Sequence, residues 1–243
     1  MSTLRERLES RLRHLPPARR LRFMLALRSL SSLGGTPIRV LDAGAGDGLL
    51  SLAIAERHPA WTVVAADVRE DALERGRSDA DRGGLENISF EHLDLTRPIP
   101  QGGYDVVLAM ECLEEIPDDE AATAVFADAL RPGGLLLVHV PERDWKPVLR
   151  SSESTWKDEA RHGYTRDELV GLLERHGLQV VNVTPTTRGT VRVAQEARDR
   201  IKNARLAVRA LAYPPLTLAL WLEQVGITWG PARALYAEAR KPA

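Results

Sequence analysis

Asp42-Ala43-Gly44-Ala45-Gly46-Asp47-Gly48 follows the short apolar run from Ile38 to Leu41, and the helix-periodic Leu49, Leu50, Leu52, Ala53 and Ile54 begin at once after it. A strand thus ends in a turn holding three glycines, and a helix starts where the turn stops. Glycine is the residue for which an unusual φ, or close approach by a ligand, costs least, so the turn is a candidate ligand cradle. Strand, glycine turn and helix together open a nucleotide-binding α/β domain, in which ligands sit beyond the carboxyl ends of parallel strands. A dinucleotide fingerprint, G-x-G-x-x-G, needs a third glycine where this chain has Leu49; the third glycine comes one residue early, at Gly48. The pattern is D-x-G-x-G-x-G, and its leading carboxylate, Asp42, suits a ligand that offers a cationic group.

Outward from this turn the chain alternates. Strands are expected at 38–42, 61–66, 88–92, 104–110 and 134–140, with helices at 47–57, 69–81 and 118–130 between them, a pattern that implies a doubly wound parallel sheet with helices on both faces. His58-Pro59 and Gly83-Gly84 supply helix stops. Thr165 with Glu168 forms a capping box for a helix over 166–176, closed by Gly177 and followed by a strand at 178–184. Upstream, Leu4, Leu8, Leu12 and Leu15 fall at helical spacing, Pro16-Pro17 ends that helix, and a second runs over 18–30. Residues 1–36 therefore read as an N-terminal helical arm and 37–243 as the main domain. The stretch 186–230 reads as an insertion with a basic amphipathic helix near 191–210, Pro214-Pro215 and the apolar run Leu216 to Leu222, ahead of a last strand from Leu235 to Lys241.

Further matches lie at the strand ends. Asp67 closes Val63-Val64-Ala65-Ala66-Asp67; His92-Leu93-Asp94-Leu95 closes the third strand; Tyr104-Asp105-Val106-Val107-Leu108-Ala109-Met110-Glu111 continues into Cys112-Leu113-Glu114-Glu115-Ile116-Pro117-Asp118; Leu130-Arg131-Pro132-Gly133-Gly134-Leu135 precedes the fifth. With these residues, and with Arg161-His162-Gly163-Tyr164-Thr165, the chain resembles the class I S-adenosylmethionine-dependent methyltransferases, in the small-molecule, ubiquinone-biosynthesis-like group. That family's motifs read V-L-D-x-G-x-G-x-G, F-D-x-V-x-x-x-E-V-L-E-H-V-P-D and L-x-P-G-G. The resemblance runs from about residue 38 to 184. It implies a Rossmann-like, seven-stranded, mostly parallel sheet whose antiparallel last strand slots between the fifth and sixth. It also implies S-adenosyl-L-methionine as cofactor and methyl transfer to a small molecule, with O-methylation the first guess.

Carried over residue by residue, Asp42, Ala43, Gly44, Ala45, Gly46 and Gly48 would cradle the methionine part, Asp67 the ribose, and Asp94 with Leu95 the adenine, with Val68 also among the cofactor-binding residues. Met110 and Glu111 would lie beside the sulfonium. Methyl transfer from a sulfonium asks chiefly for proximity in a water-poor site, and for a base only when the nucleophile must lose a proton. His139, on the fifth strand, and His162 and Tyr164, in a loop able to border the cavity, are the candidate catalytic side chains. Glu111, Glu114 and Glu115 stand where some relatives carry a cation-binding E-x-x-E-H, but glutamate replaces the histidine and no metal is expected.

The 243 residues suit one decorated domain, and a formal net charge of -1 gives no global reason to expect nucleic acid. Charge is uneven, however: residues 1–30 hold eight arginines against two glutamates, 188–209 six arginines and a lysine against two acids, and 111–120 six acids. The basic segments are solvated helix faces, or they fold over the sheet's carboxyl edge to meet an amphiphilic or anionic acceptor, or they touch a membrane surface peripherally. A single cysteine and no apolar run of spanning length suggest a cytoplasmic protein, monomer or homodimer. DNA is not expected as a partner and RNA ranks low. Two rival readings stay open: an NAD(P)-dependent oxidoreductase, which should carry glycine in place of Leu49, and an S-adenosylmethionine-binding module without catalysis.

Overall fold

The structure is a computed structural model of the whole chain; it describes residues 3–34, 37–145, 160–201, 218–219, 221–223 and 229–243. In chain order the elements are α1 (Leu4–Arg13), α2 (Pro17–Ser31), β1 (Arg39–Ala43), α3 (Leu49–Arg57), β2 (Thr62–Asp67), α4 (Glu70–Gly83), β3 (Ile88–His92), β4 (Tyr104–Met110), α5 (Asp119–Ala129), β5 (Leu130–Pro141), α6 (Arg166–Arg175), β6 (Gln179–Thr186), α7 (Gly189–Ile201) and β7 (Ala234–Arg240). A short 3-10 turn, Leu113–Glu115, links β4 to α5. The seven strands form one sheet in the order β3-β2-β1-β4-β5-β7-β6. β1 to β5 pair in parallel, and β7 runs antiparallel between β5 and β6, as expected for the last strand.

Burial explains why the central strands read as apolar runs. Val40 and Leu41 of β1, and Val106 to Ala109 of β4, are fully buried because helices cover both faces of the sheet. One core layer gathers Leu41, Val107, Phe126, Leu136 and Leu172; the other gathers Val40, Leu52, Trp61, Leu73 and Leu108. On α4 the buried residues Ala72, Leu73, Gly76 and Ala80 recur at helical spacing, which seats that helix on the sheet. The capping boxes Thr3–Glu6 and Thr165–Glu168 both form, satisfying backbone donors at the starts of α1 and α6.

Two glycines of the opening turn are required by protein contacts. A Cβ on Gly44 would meet Cys112 Cβ at 2.3 Å, and one on Gly48 would meet the Phe90 ring at 2.5 Å; both residues have positive φ. Gly76 gives the same ring its other clearance, with a Cβ contact of 2.2 Å. The early third glycine is thus a packing residue for Phe90 and the left-handed start of α3.

Boundaries shift where tertiary pairing extends an element. β5 begins at Leu130, before the expected turn: Tyr104 pairs with Leu130 and Val106 with Leu135, so Arg131-Pro132-Gly133-Gly134 is a bulge inside the strand. The basic helix begins at Gly189 and is described to Ile201; the remainder of the expected 191–210 helix, Pro214-Pro215 and positions 216, 217 and 220 of the 216–222 run lie outside the described residues. Helices α1 and α2 pack onto the core. Arg11 bridges Asp47 (2.9 Å) and Asp79 (2.5 Å), and Arg5 pairs with Glu56 at 2.7 Å. Leu21 of α2 packs on Val191 of α7, and the Ala18 N–H donates to Gln195 Oε1 at 3.2 Å.

Candidate active site

Two cavities adjoin at the carboxyl edge of the sheet. The first, of about 340 Å³, is bounded by Gly44 after β1, Asp67, Val68 and Arg69 after β2, Asp94, Leu95 and Thr96 after β3, and Glu111, Cys112, Glu115, Ile116 and Pro117 after β4. The second, of about 360 Å³, lies under α2 and α7. Arg19 and Arg22, Thr187, Gln195, Arg233 and Pro141 form its walls together with Glu111, Glu114 and Glu115. Glu111 and Glu115 belong to both.

Asp67 is only 4% exposed, and its carboxylate is held from three sides. The Gly46 N–H donates to Oδ2 at 2.7 Å, while the Arg69 N–H (2.9 Å) and Nε–H (3.1 Å) donate to Oδ1. The glycine turn and the β2 tip are thereby locked together. An ionised carboxylate has about four lone-pair sites, so these donors leave little free unless the Arg69 side chain, 62% exposed, moves off. Asp94 is exposed and accepts from the Thr96 N–H (3.0 Å) and hydroxyl (2.7 Å), which hold its carboxyl below the ordinary value.

Glu111 follows β4 with a positive φ of 54°, unusual for a non-glycine residue and a form of strain that surrounding contacts must hold in place. Those contacts are present: one carboxylate oxygen pairs with Arg22 of α2, and the other lies 3.2 Å from His139 Nδ1. Burial would push the Glu111 carboxyl up, but Arg22 and His139 outweigh it and hold the group well below the usual range. His139 is 1% exposed, and burial pulls its pKa down despite Glu111. Its Nε2 lies 3.1 Å from Thr186 Oγ1, whose hydroxyl donates to Ala234 O at 3.3 Å. With the Thr186 hydroxyl given to Ala234 O, Nε2 carries the ring hydrogen and Nδ1 faces Glu111, so that a proton taken up on Nδ1 would donate to the carboxylate.

The surroundings are electronegative. Asp42 is buried behind the turn, accepts from Ser51 Oγ at 2.5 Å, and is pushed up to about 6, chiefly by burial, with nearby Asp67 adding to the shift. Burial likewise raises Glu115, and Cys112, buried among Glu114, Asp42, Glu115 and Asp67, is raised well above an ordinary thiol. Buried carboxylates at this density favour a cationic ligand at the strand tips.

Of the residues expected to bind cofactor, Gly44, Asp67, Val68, Asp94, Leu95 and Glu111 come together around the first cavity. Asp42, Ala43, Ala45, Gly46, Gly48 and Met110 do not line it. Ala43 is core, the Ala45 N–H is spent on Ala66 O at 2.9 Å, and Met110 packs in the core layer with Tyr236, because successive strand residues point to opposite faces. Tyr164 is placed away from both cavities: fully buried, it donates to Asp119 Oδ2 at 2.8 Å, under the Arg161 guanidinium at 4.0 Å. His162 is exposed and lines neither cavity. His139 reaches the site only through Glu111. Sequence reasoning missed Arg69, Thr96, Cys112 and Pro117 on the cofactor side, and Arg19, Arg22, Thr187, Gln195 and Arg233 on the other. The arginine-rich character of the basic segments hinted at Arg19 and Arg22 alone. Among the described residues no group of three or more His, Cys, Asp or Glu is arranged to hold a metal ion, and no helix is long and apolar enough to cross a membrane.

A sheet of this order, with a glycine turn after β1 and an acid closing β2, defines the class I S-adenosylmethionine-dependent methyltransferase fold. The chain belongs to the methyltransferase domain family, whose model matches residues 9–183. It is 34% identical over 155 residues to the ubiquinone biosynthesis O-methyltransferase of Dinoroseobacter shibae, covering 60% of this chain and 61% of that one. With the enzyme of the same description from Idiomarina loihiensis it is 37% identical over 115 residues, covering 46% and 45%. The chain therefore spans about three fifths of the first relative and less than half of the second. Among solved structures, a putative sarcosine dimethylglycine methyltransferase from Galdieria sulphuraria superposes with a TM-score of 0.65 at 15% identity, covering 92% of this chain and 86% of that one. The [4+2]-cyclase SpnF superposes at 0.63 and 20% identity, covering 86% and 76%. These two likenesses concern the fold, and the names of the pair differ in activity, so the reaction has to be argued from the site.

Proposed function

We propose that this chain transfers the methyl group of S-adenosylmethionine to an oxygen of a small-molecule acceptor. The observation that carries the reading is the pair of adjoining cavities sharing Glu111 and Glu115: one is walled by the strand-tip acids and the apolar Leu95, Ile116 and Pro117, the other by arginines and polar groups. The first fits an adenosyl group with a cationic sulfonium: Asp67 would take the ribose, Asp94, Leu95 and Thr96 the base, and Gly44 the approach of the amino-acid part. When bound, that cofactor supplies a methyl carbon already activated for in-line displacement. Leu49 stands where an NAD-binding turn would place glycine, which counts against the oxidoreductase.

The chain's own task is to present the acceptor and take its proton. Glu111, ionised at the border of the two cavities, accepts the hydrogen bond of an acceptor hydroxyl and so aims its oxygen. As that oxygen forms its new bond, the proton passes to a Glu111 carboxylate oxygen and from Oε1 to Nδ1 of His139, the more basic member of the pair. Arg22 fixes the Glu111 carboxylate against rotation and keeps it charged. Helices α2 and α7 cover the acceptor and limit water. Calorimetric titration with S-adenosylhomocysteine and with NAD tests the reading. One-to-one binding of the former alone is expected; binding of NAD alone would refute it.

A further inference from the structure

The second cavity sets three arginines against three glutamates, Glu111, Glu114 and Glu115, but the arginines are unevenly answered. The two residues it shares with the cofactor cavity are both glutamates, whereas its three arginines, Arg19, Arg22 and Arg233, face the second cavity only. The shared border is thus acidic, while the three arginines lie on walls that belong to this cavity alone, as does Glu114. Arg22 is paired with Glu111, yet its Nε is buried without a hydrogen-bond partner. Arg19 reaches Asp47 at 3.4 Å, a carboxylate that Arg11 already holds at 2.9 Å. Burial, with Arg22 and Arg11 close by, pulls Arg19 below its ordinary value in spite of Asp47, the signature of a guanidinium short of counter-charge. Arg233 lies over the Trp145 ring at 4.4 Å, and among the described residues no carboxylate pairs with it.

Thr187 supplies an independent sign of a ligand on the same wall. It is 1% exposed, and its Oγ1 is buried with no partner. Its φ is 54°, a conformation that a β-branched residue adopts only when its surroundings impose it. Among the described residues Thr187 and Glu111 are the two non-glycine residues with positive φ, and both face this cavity. A strained backbone that delivers an unspent hydroxyl beside under-compensated guanidiniums is costly unless a ligand's acceptor atoms meet them.

Resting on the methyl-transfer reading above, we infer that this wall is an anion subsite: the acceptor carries a carboxylate or phosphate held by Arg19 and Arg233 with the Thr187 hydroxyl donating, while its reacting oxygen faces Glu111 and Glu115. Guanidiniums suit both anions because their planar donors match two oxygens at once. The subsite would choose the acceptor and its orientation together, since only an anion remote from the nucleophile lets both ends of the cavity be satisfied.

The test is calorimetry on the full chain saturated with S-adenosylhomocysteine, using benzoate, phenyl phosphate and the neutral isostere benzamide as probes. At least one acid is expected to bind about tenfold tighter than benzamide, and Arg19→Gln and Arg233→Gln are each expected to lose about tenfold in that affinity. Which acid binds tighter identifies the anion. Equal binding of acids and benzamide, or acid binding unchanged in both variants, would overturn the subsite. So would a matching loss of S-adenosylhomocysteine affinity in the variants, because it would place these arginines in the fold or the cofactor site. Should the wild-type chain fail to bind S-adenosylhomocysteine, the methyl-transfer reading falls instead, and the acid-against-benzamide comparison without it still decides the subsite.

Discussion

Asp67→Asn is the substitution whose consequences the structure specifies most fully. The carboxylate answers three donors: the Gly46 N–H at 2.7 Å on one oxygen, and the Arg69 N–H at 2.9 Å and Nε–H at 3.1 Å on the other. Asparagine keeps one acceptor oxygen and turns a donor toward the remaining partner. With its oxygen given to the Arg69 pair, the amide NH₂ faces the Gly46 N–H, leaving a part-buried donor unsatisfied at a cost of about 1–3 kcal/mol. For a chain of this size that lowers Tm by about 2–12 °C. Ribose hydroxyls bonded to a charged acceptor contribute about 1.5–3 kcal/mol each, so S-adenosylhomocysteine affinity should fall by at least about tenfold in calorimetry. Arg69→Ala separates stability from binding. Its guanidinium occupies the same oxygen from a position 62% exposed, where an ion pair is worth about 0–1 kcal/mol. Removing it should leave affinity unchanged or tighten it by up to about fivefold. A Kd for Asp67→Asn within about threefold of wild type, alongside a lowered Tm, would show that Asp67 only braces the turn and would refute its assignment to the ribose.

Three other outcomes are expected. Asp42, raised from an ordinary carboxyl to about 6 by burial, binds its proton more readily folded than unfolded, so it erodes stability as pH climbs from about 4 to about 6. Asp42→Asn retains the oxygen that Ser51 donates to and should unfold up to about 3 kcal/mol less readily than wild type at pH 8, with no gain near pH 4; urea unfolding at both pH values checks this. His139 has its pKa lowered by burial, so its neutral form persists to acid pH, and kcat should fall only as pH drops through that depressed value, below about 6.5. In His139→Gln that acid limb should vanish and kcat should drop about a hundredfold with cofactor affinity retained; a surviving limb would assign the proton elsewhere. Tyr164→Phe loses the hydrogen bond to Asp119, worth about 1.5–3 kcal/mol, and should lower Tm by about 3–12 °C while kcat/KM stays within about twofold. A collapse of turnover at unchanged Tm would restore Tyr164 to the chemistry.

Much of this molecule was legible before any coordinates. The alternation of apolar runs and helical periods from Ile38 to Val183 specified the parallel sheet, because a strand buried on both faces needs continuous apolar residues and a covering helix needs a stripe. Asp67 and Asp94, which line the first cavity, could be placed near a site because a strand end is a local feature, readable from where an apolar run stops. Element limits were less secure: β5 starts at Leu130 since Tyr104 of β4 is there to pair with it, a fact that no window of sequence around Pro132-Gly133 contains.

The site divides along the same line. The residues 42–48 determined that a strand hands over to a helix through a glycine-bearing turn, and together with the strand-end matches up to residue 184 they pointed to the fold and its cofactor. Only the tertiary structure decided what each residue does there: Gly48 clears the Phe90 ring, Asp42 is buried behind the turn, Tyr164 points at Asp119, and Arg22 of α2 meets Glu111 and through it His139. The physical reason is range. Periodicity, capping and turn chemistry act between residues a few positions apart and are written in order along the chain, whereas a cavity's charge and a side chain's partner depend on which distant segments the folded sheet brings to one edge.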